Sequence, residues 1–262
     1  MDDHSDPTRT GIRDAEIIHG EALATMRTLT TGGFDALITD PPYCSGGTSS
    51  AERTSRTARQ KYVSTGSAAG KAMPDFGGDQ RDQRSFTLWC TLWLGEALRL
   101  VRHGGQALVF CDWRQLPAMS DALQAAGWRW RGITVWAKTN ARPQPGFRNE
   151  CEYVLWASHG TIDRDHQPPC LPGVYRIGSP KGKERQHITA KPVELMRYLV
   201  RTVPVGGLVL DPFAGSGTTG VGALAEGRRF LGIEASAAYA EIATRRLAEH
   251  TDHHLSQGAD PL

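Results

Sequence analysis

Leu208-Val209-Leu210-Asp211-Pro212-Phe213-Ala214-Gly215-Ser216-Gly217-Thr218-Thr219-Gly220 is the stretch on which the fold turns. Three apolar residues read as a short buried strand, and Gly215-x-Gly217-x-x-Gly220 follows at once, opening an apolar run of helical character. Glycine permits a tight turn there and lets backbone N–H groups at a helix start approach a ligand closely. Nineteen residues after Gly215 stands Glu234, just past the strand-like run Arg229–Ile233. A carboxylate in that place can accept hydrogen bonds from both hydroxyls of a ribose. The expectation is a cofactor of the adenosine type. Taken alone, this stretch leaves a nicotinamide dehydrogenase and a purely structural glycine turn as alternatives.

Working outward, strand-like runs alternate with helical stripes along most of the chain. The strands read as Ala15–Ile18, Phe34–Thr39, Gln106–Cys111, Trp130–Trp136, Glu152–Ala157, Gly207–Leu210 and Arg229–Ile233. Between them Trp89, Trp93, Ala97 and Leu100 recur at helical spacing, as do Leu116, Met119 and Leu123, and Leu195, Met196, Leu199 and Val203 after Pro192. A last helix is expected over Ser236–Glu249, with a frayed tail from Thr251. This pattern predicts an α/β fold, a doubly wound, mostly parallel seven-stranded sheet, in one domain spanning residues 1–250. Two stretches break the alternation. Residues 44–84 are rich in Gly, Ser and Thr and carry Arg53, Arg56, Arg59 and Lys61; residues 160–186 hold four prolines with Arg176, Lys181 and Lys183. Both read as loops or insertions open to a partner.

Composition narrows the class without choosing within it. With 262 residues, 39% hydrophobic and 22% charged, the chain can bury a full core, and no apolar run approaches the roughly 20 residues of a membrane span. The acidic start Met1-Asp2-Asp3 lacks a signal-peptide pattern, so a cytoplasmic, reducing setting is expected. Five cysteines stand singly, without a C-x-x-C pair, which argues against a zinc site or a disulfide framework. A net charge of +2 permits a nucleic-acid partner but does not argue for one.

Asp40-Pro41-Pro42-Tyr43 separates the cofactor alternatives, because it ends another strand at the edge where open α/β sheets place their ligands. Two prolines stiffen the backbone and remove N–H donors, leaving carbonyls to face a ligand. Asp40 and the Pro41 carbonyl are two acceptors able to grip one NH₂ group, and Tyr43 offers a face on which an extracted base can stack. An exocyclic base amine needs such a grip, since its lone pair is delocalised into the ring. Accepting both N–H bonds localises that pair and aims it at an electrophilic methyl. No metal is required for this.

The tetrad Asp40–Tyr43 ahead of Asp211–Thr219 resembles the β-class of DNA amino-methyltransferases, whose motif order is circularly permuted, with the catalytic half first. The likeness runs from about Ala15 to Leu247 and includes His187-Ile188-Thr189-Ala190-Lys191-Pro192. It implies a Rossmann-like class I methyltransferase fold and S-adenosylmethionine bound by Asp211, Phe213, Gly215, Gly217, Thr218, Thr219 and Glu234. Thr189 or Lys191 would lie near the cofactor's carboxylate, and Glu21 stands where the family usually has Asp near the adenine. Asp40, Pro41, Pro42 and Tyr43 would act on a flipped-out base. Phe147–Tyr153 resembles a family stretch that often has His in place of Cys151, so Cys151 is given no catalytic role.

The family's usual target-recognition region falls in the 27 residues 160–186, a short span, so Arg53, Arg56, Arg59 and Lys61 are expected to share DNA contact with Arg176, Lys181 and Lys183. By the same likeness the partner is DNA, the enzyme is prokaryotic or phage-encoded, often dimeric, and sometimes part of a restriction–modification pair. An Asp-headed tetrad usually accompanies adenine N6, a Ser-headed one cytosine N4. RNA or protein-amide methylation and a non-catalytic DNA-binding relic are the rival readings.

Overall fold

The computed structural model describes residues 14–44, 81–162, 167–180 and 191–257. Its eight strands are β1 (Ala15–His19), β2 (Phe34–Thr39), β3 (Val101–Cys111), β4 (Arg129–Ala137), β5 (Cys151–Ser158), β6 (Val174–Arg176), β7 (Leu208–Asp211) and β8 (Arg229–Glu234). They form one sheet in the order β1-β8-β7-β2-β3-β5-β4-β6. Only β5 runs against its neighbours, β3 and β4; the other pairings are parallel. Seven strands were expected, and the eighth is β6, which pairs with Val135–Ala137 at the sheet edge. It lies within the short Gly173–Ile177 run, whose period is too brief to count as a strand of the sheet from sequence alone.

Every residue of β2 and of β7 is buried, the mark of strands covered on both faces. Because side chains alternate, Leu37 and Ile38 enter different cores. On one face Leu37, Val109 and Leu210 meet α1 (Ala22–Met26), α2 (Gln83–Leu100) and α3 (Leu116–Ala125) through Met26, Trp93, Leu94, Met119 and Leu123. On the other, Ile38, Phe110 and Val209 meet α4 (Val193–Val200), α5 (Thr218–Ala225) and α6 (Ala237–Gln257) through Leu195, Leu199, Val221 and Leu247. Asp82 starts α2 by accepting the Arg84 and Ser85 backbone N–H groups at 3.0 and 3.1 Å. The last helix continues to Gln257, past the frayed tail expected from Thr251; the first helix breaker beyond it in sequence is Gly258, and the Thr251 hydroxyl bonds back to the Leu247 carbonyl at 3.0 Å.

The chain order of the strands sets where a site can form. β2 and β7 lie side by side, with Ala36 opposite Val209 and Leu37 opposite Leu210. Their C-terminal ends, with those of β1 and β8, bring Asp40, Asp211, Glu21 and Glu234 to one edge. Since β5 is reversed, it delivers its first residues, Cys151 and Glu152, to that same edge.

Candidate active site

The turn after β7 is built around Asp211, which is 2% exposed. Its carboxylate accepts the Thr39 hydroxyl at 2.6 Å, the Thr219 hydroxyl at 2.7 Å and the Phe213 backbone N–H at 3.0 Å. Burial outweighs these bonds and pushes its pKa up to about 6. Asp211 thereby ties the end of β2 to the glycine turn. Gly215 and Gly217 take φ of +52° and +80°, which side-chain-bearing residues avoid. Gly217 caps α5 without a side-chain bond to the first turn, leaving that N-terminus to other acceptors. Glu234 accepts the Gly215 N–H and the Ser236 N–H, each at 2.8 Å, and burial raises its pKa. Each of its oxygens keeps a second lone pair.

Phe213 packs with its ring centroid 5.4 Å from Trp89 and 5.1 Å from Trp93. Glu21 is exposed at the end of β1, where its carboxylate accepts the Ala24 N–H at 2.8 Å and caps α1; the neighbouring Gly20 N–H bonds the Glu234 carbonyl at 3.0 Å. A bare-backbone turn, a helix start and the acceptors Glu234 and Glu21 form a set whose chemistry fits the ribose and charged end of S-adenosylmethionine.

One strand away, β2 runs into Asp40-Pro41-Pro42-Tyr43. The Tyr43 hydroxyl donates to Asp40 Oδ1 at 2.5 Å, and Lys191 Nζ donates to Asp40 Oδ2 at 2.6 Å. Lys191 also meets Glu152 Oε2 at 3.1 Å, while Lys138 holds Glu152 Oε1 at 2.6 Å. Two carboxylates and two ammonium groups thus balance one another at the site. The Lys191 side chain is 4% exposed, and its ammonium also lies 5.4 Å from the Tyr43 ring and 5.2 Å from the Phe110 ring. Burial raises the Asp40 pKa, with Lys191 opposing it. Burial would lower Lys191, but Asp40 and Glu152 prevail and keep it charged. For Glu152 burial loses to Lys191 and Lys138, and its pKa falls. Burial and the two carboxylates hold Tyr43 well above its ordinary value, so it remains a donor.

Lys191, expected near the cofactor's carboxylate, has its ammonium on Asp40 and Glu152. Glu152 itself was missed by sequence reasoning. Its signal was an acid heading the apolar run Tyr153-Val154-Leu155-Trp156, and only the reversal of β5 makes that position part of the edge. Arg176 is exposed on the edge strand β6. Arg53, Arg56, Arg59, Lys61, Lys181, Lys183 and Thr189 lie outside the described residues. Among the described residues no group of three or more His, Cys, Asp or Glu is placed to hold a metal, and no helix is long and apolar enough to cross a membrane.

A glycine turn fit for a nucleoside beside a tetrad of acceptors and an aromatic ring, on a Rossmann-like sheet, is the arrangement expected of an S-adenosylmethionine-dependent methyltransferase. The chain belongs to the N6/N4 DNA methylase family, whose model matches residues 34–245. It is 26% identical over 255 residues to the Type II methyltransferase M.HinfI of Haemophilus influenzae, covering 89% of this chain and 68% of that protein. The structure of M1.HpyAVI in complex with S-adenosylmethionine superposes with a TM-score of 0.63 at 25% identity, over 89% of this chain and 98% of the other. The cytosine-N4-specific PvuII DNA methyltransferase gives a TM-score of 0.66 at 15% identity over 92% and 91% of the two chains, a likeness of fold. The protein is a DNA methyltransferase, and its cofactor is S-adenosylmethionine.

Proposed function

We propose that the protein methylates the N6 amine of adenine, in a base swung out of duplex DNA at a specific recognition sequence. The observation that carries this reading is the half-buried Asp40 carboxylate, held by Lys191 and Tyr43 at the end of the strand beside the glycine turn. S-adenosylmethionine supplies a methyl group already activated on a sulfonium. Asp40 and the Pro41 carbonyl accept the two N–H bonds of the amine, which localises its lone pair and aims it at that methyl. As the nitrogen takes the methyl it must shed a proton, and Asp40, whose pKa is raised, is the base in reach. Tyr43 stacks on the extruded ring, its hydroxyl yielding its place on Asp40 to the amine. Phe213, Gly215, Gly217, Thr218, Thr219 and Glu234 hold the cofactor, with Asp211 shaping the turn. Arg53, Arg56, Arg59, Lys61, Arg176, Lys181 and Lys183 meet DNA phosphates. The Asp-headed tetrad supports adenine over cytosine.

Methylating plasmid DNA in a host free of other methylases, then digesting it for nucleoside mass spectrometry, tests both parts. N6-methyldeoxyadenosine is the expected sole product, and Asp40→Ala should lower transfer by on the order of 10²-fold or more while cofactor affinity changes at most a few-fold. Methylated deoxycytidine alone would overturn the adenine assignment. Transfer by the variant at near wild-type rates would remove Asp40 from the mechanism.

A further inference from the structure

The connection from β4 to β5 leaves the sheet at the catalytic edge. Ala137 faces Cys151 and Trp136 faces Glu152 across its base, and the Lys138 N–H closes on the Glu150 carbonyl at 2.7 Å. Its two flanks therefore supply Lys138 and Glu152, both in the charge network on Asp40. Just beyond, the Asn140 side chain donates to the Ser179 carbonyl at 2.9 Å and accepts the Ser179 N–H at 2.8 Å, which fixes the root of the projection. The tip then runs through Pro143, Pro145 and Gly146, whose φ is +78°, and is braced by Gln144 Nε2 donating to the Phe147 carbonyl at 2.5 Å. On this braced tip Phe147 is 97% exposed, more than any other large apolar side chain among the described residues. Arg142 and Arg148 flank it, both exposed.

We infer that Phe147 is a wedge that enters the DNA base stack as the target base leaves it, with Arg142 and Arg148 on the adjoining phosphates. The inference rests on the proposed extrusion of the target base. Extrusion breaks stacking on both sides of the vacated position, and an aromatic ring is the side chain best able to replace it. The projection and Asp40 occupy one edge of the sheet, so a duplex delivering a base to Asp40 lies against Phe147. With Lys138 paired to Glu152, Arg142 and Arg148 against Glu150 leave the projection net positive, which suits a polyanion better than the apolar face of a second protein copy. Only a rooted, braced loop can present a ring this way without giving up the gain to ordering it.

The test uses a duplex carrying the recognition sequence mapped from methylated plasmid, and the same duplex with the target's partner replaced by an abasic site, so that extrusion is already easier. Phe147→Ala should lower kcat/KM on the paired duplex by about 10- to 100-fold and regain most of that on the abasic-partner duplex. Phe147→Trp should stay within a few-fold of wild type on both, and neither substitution should move the melting temperature or cofactor affinity. Equal losses on the two duplexes, or no loss on either, would overturn the wedge. Arg142→Gln with Arg148→Gln should reduce the slope of log affinity against log salt by nearly two; an unchanged slope removes the arginines from the phosphates. Extrusion is read separately, from 2-aminopurine at the target position: wild-type protein that methylates DNA without brightening it would overturn extrusion and the wedge together.

Discussion

In the mechanism proposed, Asp40 can take up the amine's proton only while ionised, and its neighbours act on that ionisation in opposite senses. Burial and Glu152 raise its pKa; Lys191 and the Tyr43 hydroxyl lower it. Since the required form is the carboxylate, activity should fall as pH drops through the Asp40 pKa, and that acid limb should lie above the ordinary carboxylate range. Glu152→Gln removes one of the raising influences and frees Lys191 to pair with Asp40 alone, so the acid limb of kcat/KM should move to lower pH while cofactor affinity holds. A limb that stays in place would show that Glu152 does not act through Asp40, whatever its effect on rate. Asp40 and Tyr43 were legible because they are contiguous, four residues that carry their own chemistry. Glu152 and Lys138 were not, because Lys138 follows the end of β4 and Glu152 opens β5, and they meet at the site only through the reversal of β5, which no local pattern encodes. Lys191 was picked out within its motif, yet its partners Asp40 and Glu152 lie 151 and 39 residues away in sequence.

At the scale of elements, glycines mark where the fold is bound by function and where it is free. Gly217 combines a φ of +80° with a virtual Cβ 3.1 Å from the Ala243 side chain, so Gly217→Ala both strains the turn and presses α6 away from α5. A left-handed alanine costs about 1–2 kcal/mol, or several degrees of melting temperature in a domain of this size. Loss of cofactor affinity should accompany it, because the displaced backbone is the turn proposed to hold the cofactor. Gly95 stands inside α2 with nothing within 4 Å of a virtual Cβ. Gly95→Ala should instead stabilise by about 0.5–1 kcal/mol with unchanged activity, and thermal melts of the two variants run side by side decide the contrast. The long elements were readable for the same local reasons: continuous apolar runs for β2 and β7, apolar stripes for α2 and α4. The short strand β6 showed only as the brief Gly173–Ile177 run within the 160–186 stretch, and its place in the sheet comes from pairing with β4 rather than from its own three residues.

For the whole molecule, the sheet divides at the seam between β7 and β2. On one side β1, β8 and β7 end in Glu21, Glu234 and the glycine turn; on the other β2, β3, β5 and β4 frame Asp40, Tyr43 and Glu152. Chain order crosses this division, because β1 comes first yet pairs with β8, the last strand, so the side carrying the glycine turn is assembled from both flanks of the continuous β2–β6 segment and cannot come away as one piece. Ligand binding on one side should therefore stabilise the whole fold. At 100 times its Kd, S-adenosylmethionine should add about 2.7 kcal/mol, which corresponds to roughly 5–10 °C in a single unfolding transition. The seam also predicts how variants sort. Asp40→Ala should keep the full shift, since its side chain is proposed to act on the base, not the cofactor. Glu234→Gln should lose much of it, because an amide offers one acceptor oxygen where the carboxylate serves two backbone N–H groups and still has lone pairs for a ribose. A nicotinamide cofactor should give no shift in either protein. Differential scanning calorimetry with each ligand reads all of these at once: an Asp40→Ala protein that no longer responds to S-adenosylmethionine would merge the two sides into one site, and the division of labour across the seam would fall.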